Sequence, residues 1–190
     1  RYGDSKDWSW GAEIESSRSE SDGTIAFGDH ALDRTSGRIQ LLGPDSQTDL
    51  VFGYQDKFFG LPGMYTGNED DNRETEDIQT RLIILNHLLE YGFENFWEAS
   101  VFHRRLSDHF NLKREDPASY EAVHETEVNG IGLSGFHALN AELGLNYSTQ
   151  LTSDQIESDM TVPFKKRDYY KFSLVPQYKD FLNDSEILTL

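Results

Sequence analysis

Apolar residues recur at every second position along most of this chain. In DLVFGYQDKFFGLPGMYTG (Asp49–Gly67), Leu50, Phe52 and Tyr54 fall on one face and Val51, Gly53, Gln55 and Lys57 on the other. In DWSWGAEIES, Trp8, Trp10, Ala12 and Ile14 alternate with Ser9, Gly11, Glu13 and Glu15. NAELGLNYSTQ sets Ala141, Leu143, Leu145 and Tyr147 against Glu142, Gly144, Asn146, Ser148 and Gln150, and YYKFSLVPQY repeats the pattern with Tyr170, Phe172, Leu174 and Tyr178. In DIQTRLIILNH, Ile78, Leu82 and Ile84 oppose Gln79 and Arg81, with Ile83 and Leu85 blurring the contrast. A period of two is the mark of a β-strand. ILNHLLEYGFENFWEASVF, with Gly92 and many aromatic and β-branched residues, reads as two strands around a turn rather than a helix.

The breaks between strands come in two kinds. Short turn clusters stand at 43–46, 91–95, 136–140 and 181–186. Longer polar connections stand at SDGTIAFGDHA, FGLPGMYTGNEDDNRE, REDPASYE and SDMTVPFKKR. Tight turns at one end and long loops at the other characterise an up-and-down barrel of an outer membrane. Runs such as 96–114 and 140–153 exceed the five or six residues of an ordinary soluble strand and reach the ~9–11 that a tilted membrane strand needs. Aromatics cluster near strand ends, as girdle residues do: Trp8, Trp10, Tyr54, Phe58, Phe59, Tyr91, Phe93, Phe96, Trp97, Tyr169, Tyr170 and Tyr178. The expected fold is therefore all-β: an antiparallel up-and-down transmembrane β-barrel segment of about eight or nine long strands, part of a larger barrel, because the polar second face suits a wide lumen.

Composition narrows the partners. The 190 residues carry 17 Lys and Arg against 34 Asp and Glu, a formal charge of −17, which speaks against a nucleic-acid partner. Cysteine is absent, removing disulfides and thiolate chemistry. No apolar run approaches the ~18 residues of a membrane helix, a test that a β-barrel passes unseen.

The strings QTDLVFGYQDKFFGLPGMYTG, RETEDIQTRLIILNH, FWEASVFHRRLSDHFNL, HETEVNGIGLSG, LNYSTQLTSDQIES and RDYYKFSLVPQYK resemble the barrel of bacterial TonB-dependent outer-membrane receptors, in the cobalamin- and siderophore-receptor branch. The resemblance runs from about Trp8 to Tyr178. It implies a barrel of roughly 22 strands closed around an N-terminal plug, non-enzymatic uptake of a metal chelate, and residence in the bacterial outer membrane against lipid and lipopolysaccharide. It also implies energy from the TonB complex through a segment before the plug. No plug, no TonB-contacting segment and no terminal strand ending in an aromatic residue is seen here, so residues 1–190 are expected to be a partial β-barrel domain. Two other readings stay open: a small self-contained outer-membrane barrel, adhesin or enzyme, and a soluble acidic β-sandwich binding carbohydrate or calcium.

Candidate chemistry is sparse. In the loop after Gly60, Met64 and Tyr65 are candidates to touch a ligand above the barrel, loop self-packing being the alternative. Asn68, Glu69, Asp70 and Asp71 offer oxygen ligands to calcium, although their spacing is not that of an EF-hand and a solvated acidic loop looks the same. His103, His109 and His124 lie near acidic residues, but no serine stands in a nucleophile-elbow context. Arg104, Arg105, Lys113 and Arg114 form the main basic cluster, to meet an anionic outer ligand or to pair with carboxylates such as Glu125 and Glu127 on neighbouring strands.

Overall fold

The computed structural model describes residues 8–67, 73–160, 165–179 and 187–189. The pattern of alternation becomes eight long antiparallel strands and a short ninth. They are β1 (Ser9–Ser21), β2 (His30–Leu42), β3 (Ser46–Gly60), β4 (Thr75–Tyr91), β5 (Asn95–Asn111), β6 (Glu121–Ala138), β7 (Leu143–Ser158), β8 (Lys166–Lys179) and β9 (Ile187–Thr189). Among the described residues one 3₁₀ turn, Pro117–Ser119, interrupts a loop, and no helix is long and apolar enough to cross a membrane. All nine strands form one sheet in the order of the sequence, with β1 and β9 at its two edges, so the sheet is not closed. This is an up-and-down meander compatible with a segment of barrel wall. Among the described residues no second sheet packs on it, as a sandwich would require.

The register shows what each face carries. From β1 to β8, one cross-strand row reads Ala12, Ile39, Leu50, Leu85, Val101, Ile131, Leu151 and Tyr170. The next row towards the tight turns reads Trp10, Leu41, Thr48, His87, Ala99, Leu133, Thr149 and Phe172. The large apolar side chains of these two rows, Leu50 apart, are exposed: Trp10 and Tyr170 are each 76% exposed and Phe172 77%. Of the exposed large apolar side chains borne by strands, all but Tyr169 lie on this face. Its central band carries no Asp, Glu, Lys or Arg until Asp168 at the border, in a chain that is 27% charged. We call it the outer face. Among the described residues only Ala122 and Phe136 are buried apolar side chains, so the fold has no dry core.

On the inner face the same levels of the sheet are polar and cross-linked. Asp49, 7% exposed, accepts hydrogen bonds from Arg38 (2.8 Å), Gln40 (3.1 Å) and Gln47 (2.6 Å). Asn86 donates to Glu98, and Arg167 grips Asp154 with two nitrogens at 3.1 and 2.6 Å. A paired polar network of this kind suits a surface that meets water or another polar body.

The strand ends are staggered in one direction. The β2–β3 turn closes at Gly43–Ser46, and that row continues through Leu89, Trp97, Gly135 and Tyr147. The β4–β5 hairpin closes one row lower, at Tyr91–Asn95, and the β6–β7 hairpin lower again, at Leu139–Leu143. A step of about one residue per strand, ~3.4 Å along the chain against ~4.8 Å between strands, corresponds to a tilt of about 35°. The apolar band drifts the same way. In the row of Phe52 and Ile83 the later strands carry His103, Asn129, Ser153 and Asp168, and their band begins one row lower. A level band crossing tilted strands has this appearance.

Several expectations are corrected in detail. Phe59, Phe96 and Tyr169 point to the inner face and are not girdle residues; strict alternation sends Phe58 and Phe59 to opposite sides. On β4, Ile83 and Leu85 share the outer face, whereas Ile78, Leu82 and Ile84 face inward. The turn expected at 136–140 falls at 139–142, since Phe136–Ala138 still pair with β7. The cluster at 181–186 lies outside the described residues. Three glycines admit the aromatic ring of the residue opposite: a Cβ at Gly37 would stand 2.4 Å from Phe52 Cζ, one at Gly130 2.2 Å from Phe102 Cε1, and one at Gly135 2.5 Å from Tyr147 Oη. Each ring lies over the glycine directly opposite it, filling the gap in the pleat.

Candidate functional site

The long loops gather at one end of the sheet, and there they are tied together on both faces. On the outer side Arg114 pairs with Asp29 at 2.8 Å and stacks over Phe58 at 5.0 Å. Arg73 stacks over Phe27 at 3.9 Å and pairs with Glu115, while the Arg114 amide donates to the Arg73 carbonyl at 3.0 Å. Three loops, β1–β2, β3–β4 and β5–β6, are thereby joined into one rim. The Arg114 guanidinium, hydrogen-bonded to Asp29, holds that carboxyl below its ordinary value against the opposing effect of burial.

On the inner side the same loops build an aromatic ledge. Tyr65 meets Phe110 edge-on, with centroids 5.2 Å apart, and Phe110 meets Tyr120 at 6.3 Å. The Tyr120 hydroxyl donates to Met160 Sδ at 3.6 Å. Carboxylates crowd the ledge. Glu76 is one residue into β4 and well beyond the apolar band, diagonally across from Asp108 on β5. Burial, and then the charge of Asp108, push the Glu76 carboxyl above its ordinary value. Glu76, burial, Asp108 and Glu74 together raise the Tyr65 hydroxyl. Among the described residues Asp108 Oδ1 is buried without a hydrogen-bond partner.

Of the residues singled out in the sequence, Tyr65 therefore reaches a built surface. Met64, its neighbour, is 69% exposed. Asn68, Glu69, Asp70 and Asp71 lie outside the described residues, and among those that are described no group of three or more His, Asp or Glu is placed to hold a metal ion. The basic cluster does not assemble: Arg105 faces outward and pairs with Glu125, Arg104 points to the inner face, and Arg114 is engaged with Asp29. The histidines are also apart, with His103 bonded to Asn129 (2.8 Å), His124 to Ser158 (2.7 Å) and His109 3.5 Å from Glu121. Phe110, Tyr120, Glu74 and Met160 were not legible as site residues, because only register and loop closure bring them to Tyr65. The outer face also holds an open trough of about 590 Å³ among Leu85, Val101, Ile131, Leu151 and Tyr170, with His103 at its polar end. A scan against protein-family models and searches of curated proteins and of solved structures return no match for this chain.

Proposed function

We propose that this chain forms part of the wall of an outer-membrane β-barrel, and that the barrel is a TonB-dependent receptor for uptake of a metal chelate such as cobalamin or a ferric siderophore. The observation that carries the barrel reading is the outer face: a level, charge-free apolar band, exposed in a sheet whose stagger corresponds to the tilt of membrane strands. Lipid is the solvent that such a face fits, and at the tight-turn end it is edged by Trp10, Tyr91, Trp97, Tyr147 and Tyr178. The receptor reading rests on the sequence resemblance and on the loop end, where an aromatic ledge over the inner face offers a contact surface to an incoming ligand. In this reading the protein is not an enzyme; its chemistry is capture and passage.

The test is made on cells expressing the full-length protein. It should fractionate with the outer membrane, and uptake of radiolabelled cyanocobalamin or of a ferric hydroxamate should rise above that of cells lacking it and vanish when TonB is deleted. Recovery in the soluble fraction would overturn the membrane reading. Uptake that persists without TonB would leave a barrel but not this class of receptor.

A further inference from the structure

Glu74 is the one large side chain among the described residues that is fully buried, at 0% exposure. Its two carboxylate oxygens accept the backbone amides of Tyr65 (2.8 Å) and Thr66 (3.1 Å), and its own carbonyl accepts the amide of Leu61 at 2.8 Å. One residue at the foot of β4 thus fixes both the start and the crest of the loop that leaves β3. The turn is closed internally by Met64 to Leu61 (3.1 Å) and Gly67 to Gly63 (2.7 Å).

Joining β3 to β4 does not call for this arrangement, because β4 and β5 are joined through Gly92, Phe93 and Glu94 alone. Nor does the loop gain a core from it: Met64 and Tyr65 remain 69% and 62% exposed. A carboxylate taken wholly out of water is unfavourable unless fully hydrogen-bonded, and here its bonds secure the placement of one exposed ring against Phe110. We infer that Glu74 is a positioning residue for ligand capture, a buried latch that holds Tyr65 preformed at the head of the aromatic ledge. The inference rests on the receptor reading of the loop end. Glutamate suits the task because both oxygens accept; a glutamine of the same shape would turn an NH₂ towards one of the two amides and lose that bond.

The experiment uses the full-length protein in detergent micelles, labelled with 3-fluorotyrosine, the residue-65 signal being assigned by its loss in Tyr65→Phe. Glu74→Gln should move that signal to the position of a solvated tyrosine and speed chymotryptic cleavage after Tyr65 about tenfold, while amide exchange of β4 and β5 stays slow. An unchanged signal and cleavage rate would overturn the latch. Uptake of cyanocobalamin and of a ferric hydroxamate by whole cells is the second arm. Glu74→Gln and Tyr65→Ala should lower uptake of the probe that is carried by a similar factor, with no further loss in the double variant. Additive losses, or no loss, would overturn the positioning role. If the wild type carries neither probe and fractionates as a soluble protein, yet Glu74→Gln shows the fluorine shift, the receptor reading falls and the latch stands.

Discussion

A single arginine placed at different depths separates lipid from water as the solvent of the outer face. On β6 the outward positions run Asn129, Ile131, Leu133, Gly135 and His137. The span from Asn129 to His137 is ~27 Å along the strand, or about 22 Å of height at a tilt of about 35°. Leu133 then lies at mid-height, about 11 Å from either border, and Asn129 at the upper one. Leu133→Arg should destabilise the membrane-inserted protein by about 2–4 kcal/mol and Asn129→Arg by about 1 kcal/mol or less. Ser134→Arg, one residue away but facing inward, should stay within about 0.5 kcal/mol. Urea titrations of the full-length protein refolded into vesicles, followed by tryptophan fluorescence, give the three values. A sheet bathed in water predicts a different outcome, because Leu133 is already 40% exposed and an arginine there would reach solvent freely. If Leu133→Arg proves as mild as Ser134→Arg, the outer face does not meet hydrocarbon.

Further expectations follow from particular contacts. Gly130→Ala should destabilise by about 1–3 kcal/mol, since its Cβ would stand 2.2 Å from Phe102, whereas Gly11→Ala, with nothing within 4 Å, should not; denaturant midpoints compare them. Asp29 has a depressed carboxyl, so its pairing with Arg114 stabilises the rim above the unfolded value of about 4 and is lost as pH falls through the lower folded value. Loop proteolysis should therefore show a step below pH about 4, and Arg114→Ala should abolish it. Glu76 has the opposite sign: its raised carboxyl favours the fold at low pH and opposes it as pH rises through the folded value. Glu76→Gln should accordingly raise the melting temperature at pH 8 and leave it unchanged at pH 4; an equal shift at both would refute the linkage. If the edge of β1 is paired within a complete barrel, amides of Ser9–Ser21 should exchange as slowly as those of β4 in the membrane-embedded protein, and fast exchange would contradict closure.

Most of the fold could be read from alternation because each of the eight long strands obeys a period of two for 13 to 18 residues and turn chemistry punctuates it. Alternation alone did not say which face is which where both carry apolar residues. On β4, RLIILNHLL offers Leu82 and Ile84 as readily as Ile83 and Leu85, and only the register against Phe52 and Val101 assigns the second pair outward. The aromatic girdle was overcounted for the same reason, since neighbours such as Phe58 and Phe59 cannot share a face. At the loop end the sequence marked Tyr65 through its company of Gly, Pro and aromatic residues. Glu74 was hidden, because a glutamate in an acidic stretch looks solvated until two backbone amides are seen to converge on it. The basic run at 104–105 and 113–114 separates because Arg104 and Arg105 alternate to opposite faces, and Arg105 pairs with Glu125, one of the carboxylates expected to receive it.

The inner face is mixed in character. Beside its polar network it bears Ile84 and Phe102, half-buried and level with the outer apolar band, Leu82 and Val128 at the band's border, and Leu106 beyond it, level with Thr80 and Thr126. A lumen built only to hold water has little use for so many apolar side chains, and a small barrel filled by its own side chains would not need Asp49, Glu98 and Asp154 paired across the surface. A face that is apolar in patches and ion-paired in others resembles the interface between two bodies that stay hydrated at their rims. Within the barrel reading proposed above, that composition is the one expected of a wall that meets a folded protein segment rather than an open pore. In the receptor reading proposed above, the body that such a face would meet is the plug.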